Sequence, residues 1–571
     1  MTSRIARWFV LCVVAVGEAA AQSTPAETPA TLAETMEVSI VNVDVFVTDK
    51  PGRRVRGLTK DDFELLENGS RKTISNFSEY SSAATNVTVT ADAPSEKPVA
   101  TPPPAQKRTM VVFFERTRLS PLKVDPLIVQ LKALLRRTVR PGDSLSLVFW
   151  SVGGAAQVEA ADNLDLAEVA LDRLGREVVG VHSDGVEMLR REVLEVMDFQ
   201  NTVQQVAIAN GVNTRPVTMV TFQEATEMRS ENEMMRAFLE MRRRVAAINA
   251  TINSMGAAEG KKILLLAAHR LGDVAGAEYV VTSGQAPSFD VKKKYGTAQL
   301  MKTLTENANS AGVTIYPVYP FGFGNNQPGA DAMAPGVFTN SGAAAPGYAA
   351  AEALTLQNEV ISMENIARQT GGLTAQGKDI LDLLPRIEED ISDYYSLAYR
   401  VAGGRKDEAR QVVVKAKNPA YVVRARRQYV DKTDETRMKD RVIGALFRPS
   451  GDATIPIAAG VAEPKKTSIF RSTRLLRVRI PIGALTVLQR QDGKYAGSFS
   501  VYVATGARLE QVSDVTQKTQ TFEIPARDLA KAKAGHFTYD LELTVNPLAQ
   551  RVAVGVLDEV GKSYGIARVD L

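Results

Sequence analysis

Val41, Val43, Val45 and Val47 occupy alternate positions in the run EVSIVNVDVFVT over 37–48. A period of two built from β-branched residues predicts a strand with one buried face. Asp49-Lys50-Pro51-Gly52 reads as a turn, and Thr59 as the cap of one helical turn whose positive end carries Asp61 and Asp62. Phe63–Leu66 and Thr73–Phe77 read as two further strands, with Asn68-Gly69 as the tight turn between them. The sequence therefore predicts a small β module over 37–81. A Pro- and Ala-rich linker over 82–107 follows, with Pro102-Pro103-Pro104 near its end.

From 108 the period changes. Thr109–Phe114 is apolar at nearly every position, as a strand buried on both faces must be. Asp125-Pro126 reads as the cap and first position of a helix that places Leu127, Leu131, Leu134 and Leu135 on one face. Ser144–Ser151 and Ile263–Ala268 are further buried strands. A helix over 297–311, stopped by Gly312, leads into the strand Val313–Tyr319. Glu359–Gln369 and Asp379–Asp393 are helices, the first stopped by Gly371-Gly372 and the second tolerating Pro385. Between 151 and 263 the pattern is helical. Met234, Phe238, Met241, Val245, Ile248, Ile252 and Met255 recur every three or four residues as a continuous seam. Val186, Leu189, Val193 and Met197 form a second stripe in an inserted helical arm over about 176–230, expected to pack on its own domain. Residues 321–350 read as a long loop, and Tyr394–Val401, Gln411–Lys417 and Tyr421–Arg426 as a meander. Short alternating strands fill the rest, among them Arg474–Ile480, Tyr495–Val503, His536–Val545 and Val552–Leu557. The expected architecture is α/β: a doubly wound, mostly parallel sheet domain over 108–430, preceded by the β module and followed by a β-sandwich over 435–571.

Composition narrows the function. The 571 residues carry 69 Lys and Arg against 65 Asp and Glu, too even a balance for a nucleic-acid binder. One cysteine, Cys12, and three histidines leave no disulfide framework and no Cys/His metal cluster. Arg4 and Arg7, the apolar run Trp8–Gly17 and the small-residue pattern Ala19-Ala20-Ala21 predict a signal peptide over 1–21, cut before Gln22. A Thr/Ala/Pro/Glu-rich leader over 22–36 follows. No later stretch reaches the apolar length of about 20 residues that a membrane helix needs. The expected location is secreted or periplasmic.

Several segments together resemble one family. VNVDVFVTDKPGRRVRGLTKDDFELLENG (41–69) is similar to the opening module of bacterial secreted VWFA-related domain proteins. RTMVVFFERTRLSP (108–121), EGKKILLLAAHR (259–270) and SAGVTIYPVYP (310–320) resemble the first, fourth and fifth strands of a von Willebrand factor type A domain. ENIARQTGG (364–372) followed by DYYSLAYR (393–400) resembles the family's ending. The resemblance implies an adhesion protein with a metal-ion-dependent site, in which D-x-S-x-S after the first strand, a later Thr and an Asp after the fourth strand hold a divalent ion such as Mg2+ through oxygen ligands. Here Glu115, Thr117 and Leu119 stand at the first three positions, with Ser120 one place beyond, and His269 stands at the last. Thr221 and Thr226 are candidates for the loop hydroxyl. Arg116, Arg118 and Arg270 bring positive charge to the same rim, which opposes a cation. The resemblance thus implies a degenerate site with no bound cofactor. Its rim, Glu115, Arg116, Thr117, Arg118, Ser120, His269 and Arg270, would meet acidic groups of a protein partner.

Other chemistry is thin. G-x-S-x-G and the phosphate-cradling G-x-x-x-x-G-K-[ST] are absent, and no motif specifies a small molecule. His182 and His536 have no partner by motif, and Glu388-Glu389-Asp390 reads as a solvated helix face. Nine Lys and Arg against two acids over 400–427 suggest the wet face of a sheet, with an anionic polymer as the alternative. The expected function is non-enzymatic protein binding. Its rivals are a metal-dependent adhesin with intact oxygen ligands and a hydrolase of envelope polymers with a convergent acid/base pair.

Overall fold

The computed structural model describes residues 38–80, 107–115, 121–151, 157–161, 163–180, 205–206, 209–211, 217–258, 260–268, 271–277, 289–318, 359–374, 380–402, 405–447, 453–462, 465–468, 471–507, 511–545 and 549–571. The signal segment, most of the helical arm, and the loop over 321–350 lie outside them, as do His182, Thr221 (side chain) and Thr226 (side chain).

The alternating valines lie on β1 (Val38–Asp49) and turn inward as expected. The sheet they build is assembled from two distant pieces of chain. β1 pairs antiparallel with β10 (Tyr394–Ala402) on one side and β12 (Tyr421–Ala425) on the other, and β10 pairs with β4 (Ile74–Tyr80). A second sheet joins β2 (Phe63–Glu67) and β3 (Ser70–Lys72) to β11 (Ala409–Ala416) and β13 (Gln428–Val430). Between the sheets Val41, Val43, Val45, Phe63, Leu65 and Phe77 pack on Tyr395, Leu397, Tyr399 and Val412. The expected span of 108–430 groups the strands over 394–430 with the parallel sheet; their hydrogen bonds run to the N-terminal strands instead. Strand alternation shows which face is buried but not which partner buries it, which explains the difference.

Between those two pieces stands a five-stranded sheet in the order β7 (Gln157–Ala161), β6 (Ser144–Trp150), β5 (Arg108–Glu115), β8 (Lys261–Ala267), β9 (Val313–Val318). All neighbours are parallel except β7, which runs antiparallel to β6 at the edge. Every residue of β5 is buried. Met110, Val112 and Phe114 face α1 (Pro121–Thr138), α2 (Leu164–Gly180) and α5 (Ile380–Ser392). Val111 and Phe113 face α3 (Val217–Met255), α4 (Ala298–Ala311) and the helix over 359–370. The molecule is therefore an α/β layer structure with β-rich regions on either side in sequence. The predicted seam holds: Met241, Val245, Ile248, Ile252 and Met255 are all buried against the sheet. Gly312 closes α4 in the left-handed region at φ 70°, where glycine carries no Cβ penalty. Helix α1 begins at Pro121, four residues before the expected cap at Asp125. Pro121 satisfies the same first-turn logic, because a proline there forfeits no helical donor.

The polar stretch after Asp431 is a helix, α6 (Asp434–Ala445), capped by the Thr433 hydroxyl, which accepts from the Thr436 amide at 3.1 Å. Its Met438 and Val442 face Gly555 on β21 (Arg551–Asp558), where a Cβ would stand 2.6 Å from Met438 Cε. Beyond it lie two antiparallel sheets. β16 (Arg471–Pro481) and β20 (His536–Val545) centre one, and β18 (Lys494–Gly506) and β21 centre the other. Leu476, Val478, Ile480, Phe499, Val501, Val503, Val554 and Val556 fill the space between them.

Two expectations about charged runs are corrected. Asp390, read as part of a solvated face, is buried and holds Arg424 through two hydrogen bonds of 2.8 and 2.9 Å. Arg410, read as a wet-face residue, is likewise buried beside Glu67.

Candidate functional site

The sheet order places β5 at the centre, with β6 on one side and β8 on the other. The chain's direction of travel across the sheet reverses there, and open α/β sheets present a crevice outside the carboxyl ends of the strands at such a switch. In register, Phe114 pairs with Ala267, so the segments that leave β5 and β8 start side by side at this edge. Those segments contain Arg116, Thr117, Arg118, Leu119 and Ser120 after β5, and His269 and Arg270 after Ala268. All seven lie outside the described residues.

Glu115 is described, and it is not a surface ligand. It ends β5 opposite Trp150 of β6 and is fully buried. Arg244 of α3 reaches it with both arms of the guanidinium. Its Nε donates to Oε2 at 2.9 Å and its Nη2 to Oε1 at 2.7 Å. The Arg244 side chain is 3% exposed and its carbon Cζ lies 5.6 Å from the Trp150 ring centroid. A two-pronged charge-assisted pair of this kind is both strong and directional. A lone buried carboxylate costs several kcal/mol, so Glu115 and Arg244 are mutually obligatory.

These residues do not fit a divalent ion. A hard cation needs a shell of oxygen ligands. Both oxygens of Glu115 are engaged by Arg244, whose positive charge stands where an ion would have to approach the carboxylate. Among the described residues no group of three or more His, Cys, Asp and Glu side chains is arranged to hold a metal. Of the remaining candidates, His536 is exposed at the start of β20, in register with Pro481.

Sequence reasoning missed Arg244. The signal was present: Arg244 stands three residues after Met241 and four before Ile248, both on the buried seam of α3. An arginine at that helical phase must face the core, and a buried arginine demands a carboxylate.

No protein-family model matches the chain, and no curated protein matches it. Among solved structures, a pilus adhesin, SpaC from Lactobacillus rhamnosus GG in its open conformation, aligns with 89% of this chain and 56% of its own at 8% sequence identity and a TM-score of 0.25. The chain thus spans about half the length of that adhesin. A superposition this loose carries no argument about function. No helix among the described residues is long and apolar enough to cross a membrane.

Proposed function

We propose that this chain is a secreted, non-enzymatic protein-binding molecule of the VWFA-related type. Its von Willebrand A-like sheet would present the partner site on the segments after Glu115 and Ala268. The observation that carries this reading is the adjacency of those two segments at the reversal between β5 and β8. The Glu115–Arg244 pair supports it in a second way. It gives the edge a rigid floor in which an internal guanidinium takes the carboxylate that a metal-dependent adhesin would offer to its ion. Because Glu115 has no exposed surface, the contacts fall to Arg116, Thr117, Arg118, Ser120, His269 and Arg270. Three arginines among these favour a partner that offers carboxylates, so association should weaken as salt rises.

The test is capture from an envelope extract by the exported chain, whose N-terminus is expected at Gln22, against the double variant Arg116→Glu with Arg270→Glu. A partner retained by the wild type at low salt and lost by the folded double variant is the expected result. Equal capture by both proteins moves the binding surface away from this edge.

A further inference from the structure

At the opposite edge of the parallel sheet, a cavity of about 460 Å3 lies where β1, the starts of β8 and β9, the β12–β13 turn and α6 meet. That volume is in the range of small-ligand sites. Six cationic side chains line it, Lys261, Lys262, Arg426, Lys432, Arg437 and Arg441, against two carboxylates, Asp44 and Asp440. One wall, Gly256-Ala257-Ala258 and Gly260, carries almost no side chain and leaves the volume open.

Half of the positive charge is committed to the fold. The Lys262 ammonium donates to the carbonyls of Gly256 and Ala311 at 3.0 and 2.8 Å, closing the C-terminal ends of α3 and α4. Lys432 pairs with Asp440 at 2.6 Å, and Arg437 with Asp434 at 3.2 Å and Asp431 at 3.6 Å. The other half is not neutralised in this way. Arg441 stacks on the Tyr564 ring with its Cζ 3.9 Å from the centroid, and no carboxylate of the described residues lies within ion-pair distance of it. Arg426 donates from Nη2 to the Asn42 carbonyl, while its Nε is buried without a hydrogen-bond partner. Lys261, 3% exposed, donates to the Asp390 carbonyl at 2.9 Å and stands 3.4 Å from the Tyr394 ring centroid. Asp44 is the carboxylate nearest to neutralising Lys261 and Arg426, yet burial pushes its pKa up, against the pull of those two cations. Burial also lowers Lys261, to about 8, against the pull of Asp44 and Asp390. A buried guanidinium donor left without an acceptor, beside more cations than carboxylates, is what a site for an anion would show.

We infer that this junction cavity is a binding site for a small multivalent oxyanion, carrying phosphoryl or clustered carboxylate groups, held by Arg426, Arg441 and Lys261. Two guanidinium forks supply paired donors matched to oxyanion geometry, and the ammonium supplies a point charge. The site is independent of the partner edge, which lies at the other end of the same strands.

Pyrophosphate and tricarballylate serve as probes on the full exported chain, by calorimetric titration and thermal melting, with sodium chloride at matched ionic strength as control. Saturable binding of at least one probe is expected, with a rise in melting temperature that chloride does not reproduce. Response to pyrophosphate alone identifies phosphoryl recognition, to tricarballylate alone carboxylate recognition, and to both the general oxyanion. Arg441→Gln and Arg426→Gln should each weaken binding about tenfold or more, the loss of one charge-assisted contact. Arg477→Gln, on the distant C-terminal sheet, should leave it unchanged. Arg441 is only partly buried and makes no ion pair among the described residues, so its variant keeps the test valid if Arg426→Gln fails to fold. The inference is overturned by the absence of saturable binding with both probes, by chloride stabilising equally, or by undiminished binding in a folded Arg441→Gln.

Discussion

The Glu115–Arg244 pair buries a carboxylate and a guanidinium against each other at the carboxyl end of β5. Removing one member of a buried ion pair leaves an uncompensated charge and costs about 3–5 kcal/mol, whereas replacing both with apolar groups of similar volume is often neutral. Arg244→Met is therefore expected to destabilise the sheet domain by about that amount, and Glu115→Leu with Arg244→Met to recover most of it. Trp150 reports directly, because it lies beneath the guanidinium and is the sole tryptophan in a chain starting at Gln22. Urea unfolding followed by its fluorescence ranks the three proteins. A double variant as unstable as Arg244→Met would show that the carboxylate has other indispensable partners. At this scale the sequence exposes the position but not the role. Glu115 is visible as the residue that ends an apolar strand, and its reading as a rim ligand fails because its partner lies 129 residues away on a helix.

Among elements, legibility follows how far a signal reaches. The buried strands β5, β6, β8 and β9 read directly, because burial on both faces makes them near-continuous apolar runs with few polar residues inside them. Helix α4 and its Gly312 stop read equally well, since capping is local chemistry. Helix α6 does not. Its charged first turns resemble a linker, and Met438, Val442 and Ala445 make a short stripe whose burial depends on a glycine at 555 that lets β21 come close. Strand β7 is missed for a related reason. It is five residues long, sits at an edge, and owes its existence to pairing with β6. Asp390 carries the same lesson. It belongs to an acidic run on an amphipathic helix, and only the sheet packed across it supplies Arg424 and removes it from water.

At the scale of the whole molecule, the parallel-sheet domain is inserted into the β module. The insertion leaves and re-enters through neighbouring strands: Tyr80, the last residue of β4, is in direct register with Tyr394, the first of β10. Their rings stack 4.7 Å apart at 13°. A tight turn can therefore replace everything between them. Joining Tyr80 to Tyr394 through Asn-Gly converts β4 and β10 into a hairpin with the favoured turn chemistry and leaves a sandwich of about 80 residues. Its core of Val41, Val43, Val45, Phe63, Leu65, Phe77, Tyr395, Leu397, Tyr399 and Val412 stays complete, because none of these residues is contributed by the insertion. A domain of this size buries a smaller share of its surface than the full chain does, so its stability is modest. It also loses its seat on the sheet domain: Phe46 no longer has Lys261 beside its ring, and Arg424 no longer has Asp390. The expected outcome is a monomer that unfolds cooperatively with a β-type circular dichroism spectrum, at a lower temperature than the same strands in the full chain. Phe46→Thr, which makes the newly exposed face polar and β-compatible while Arg424 keeps its charge there, should raise solubility without lowering that midpoint. A minimal chain that binds hydrophobic dye and melts without a cooperative transition would mean that the two folds are one thermodynamic unit. The charged cluster around Asp390 would then be part of a shared core and not a seam between domains.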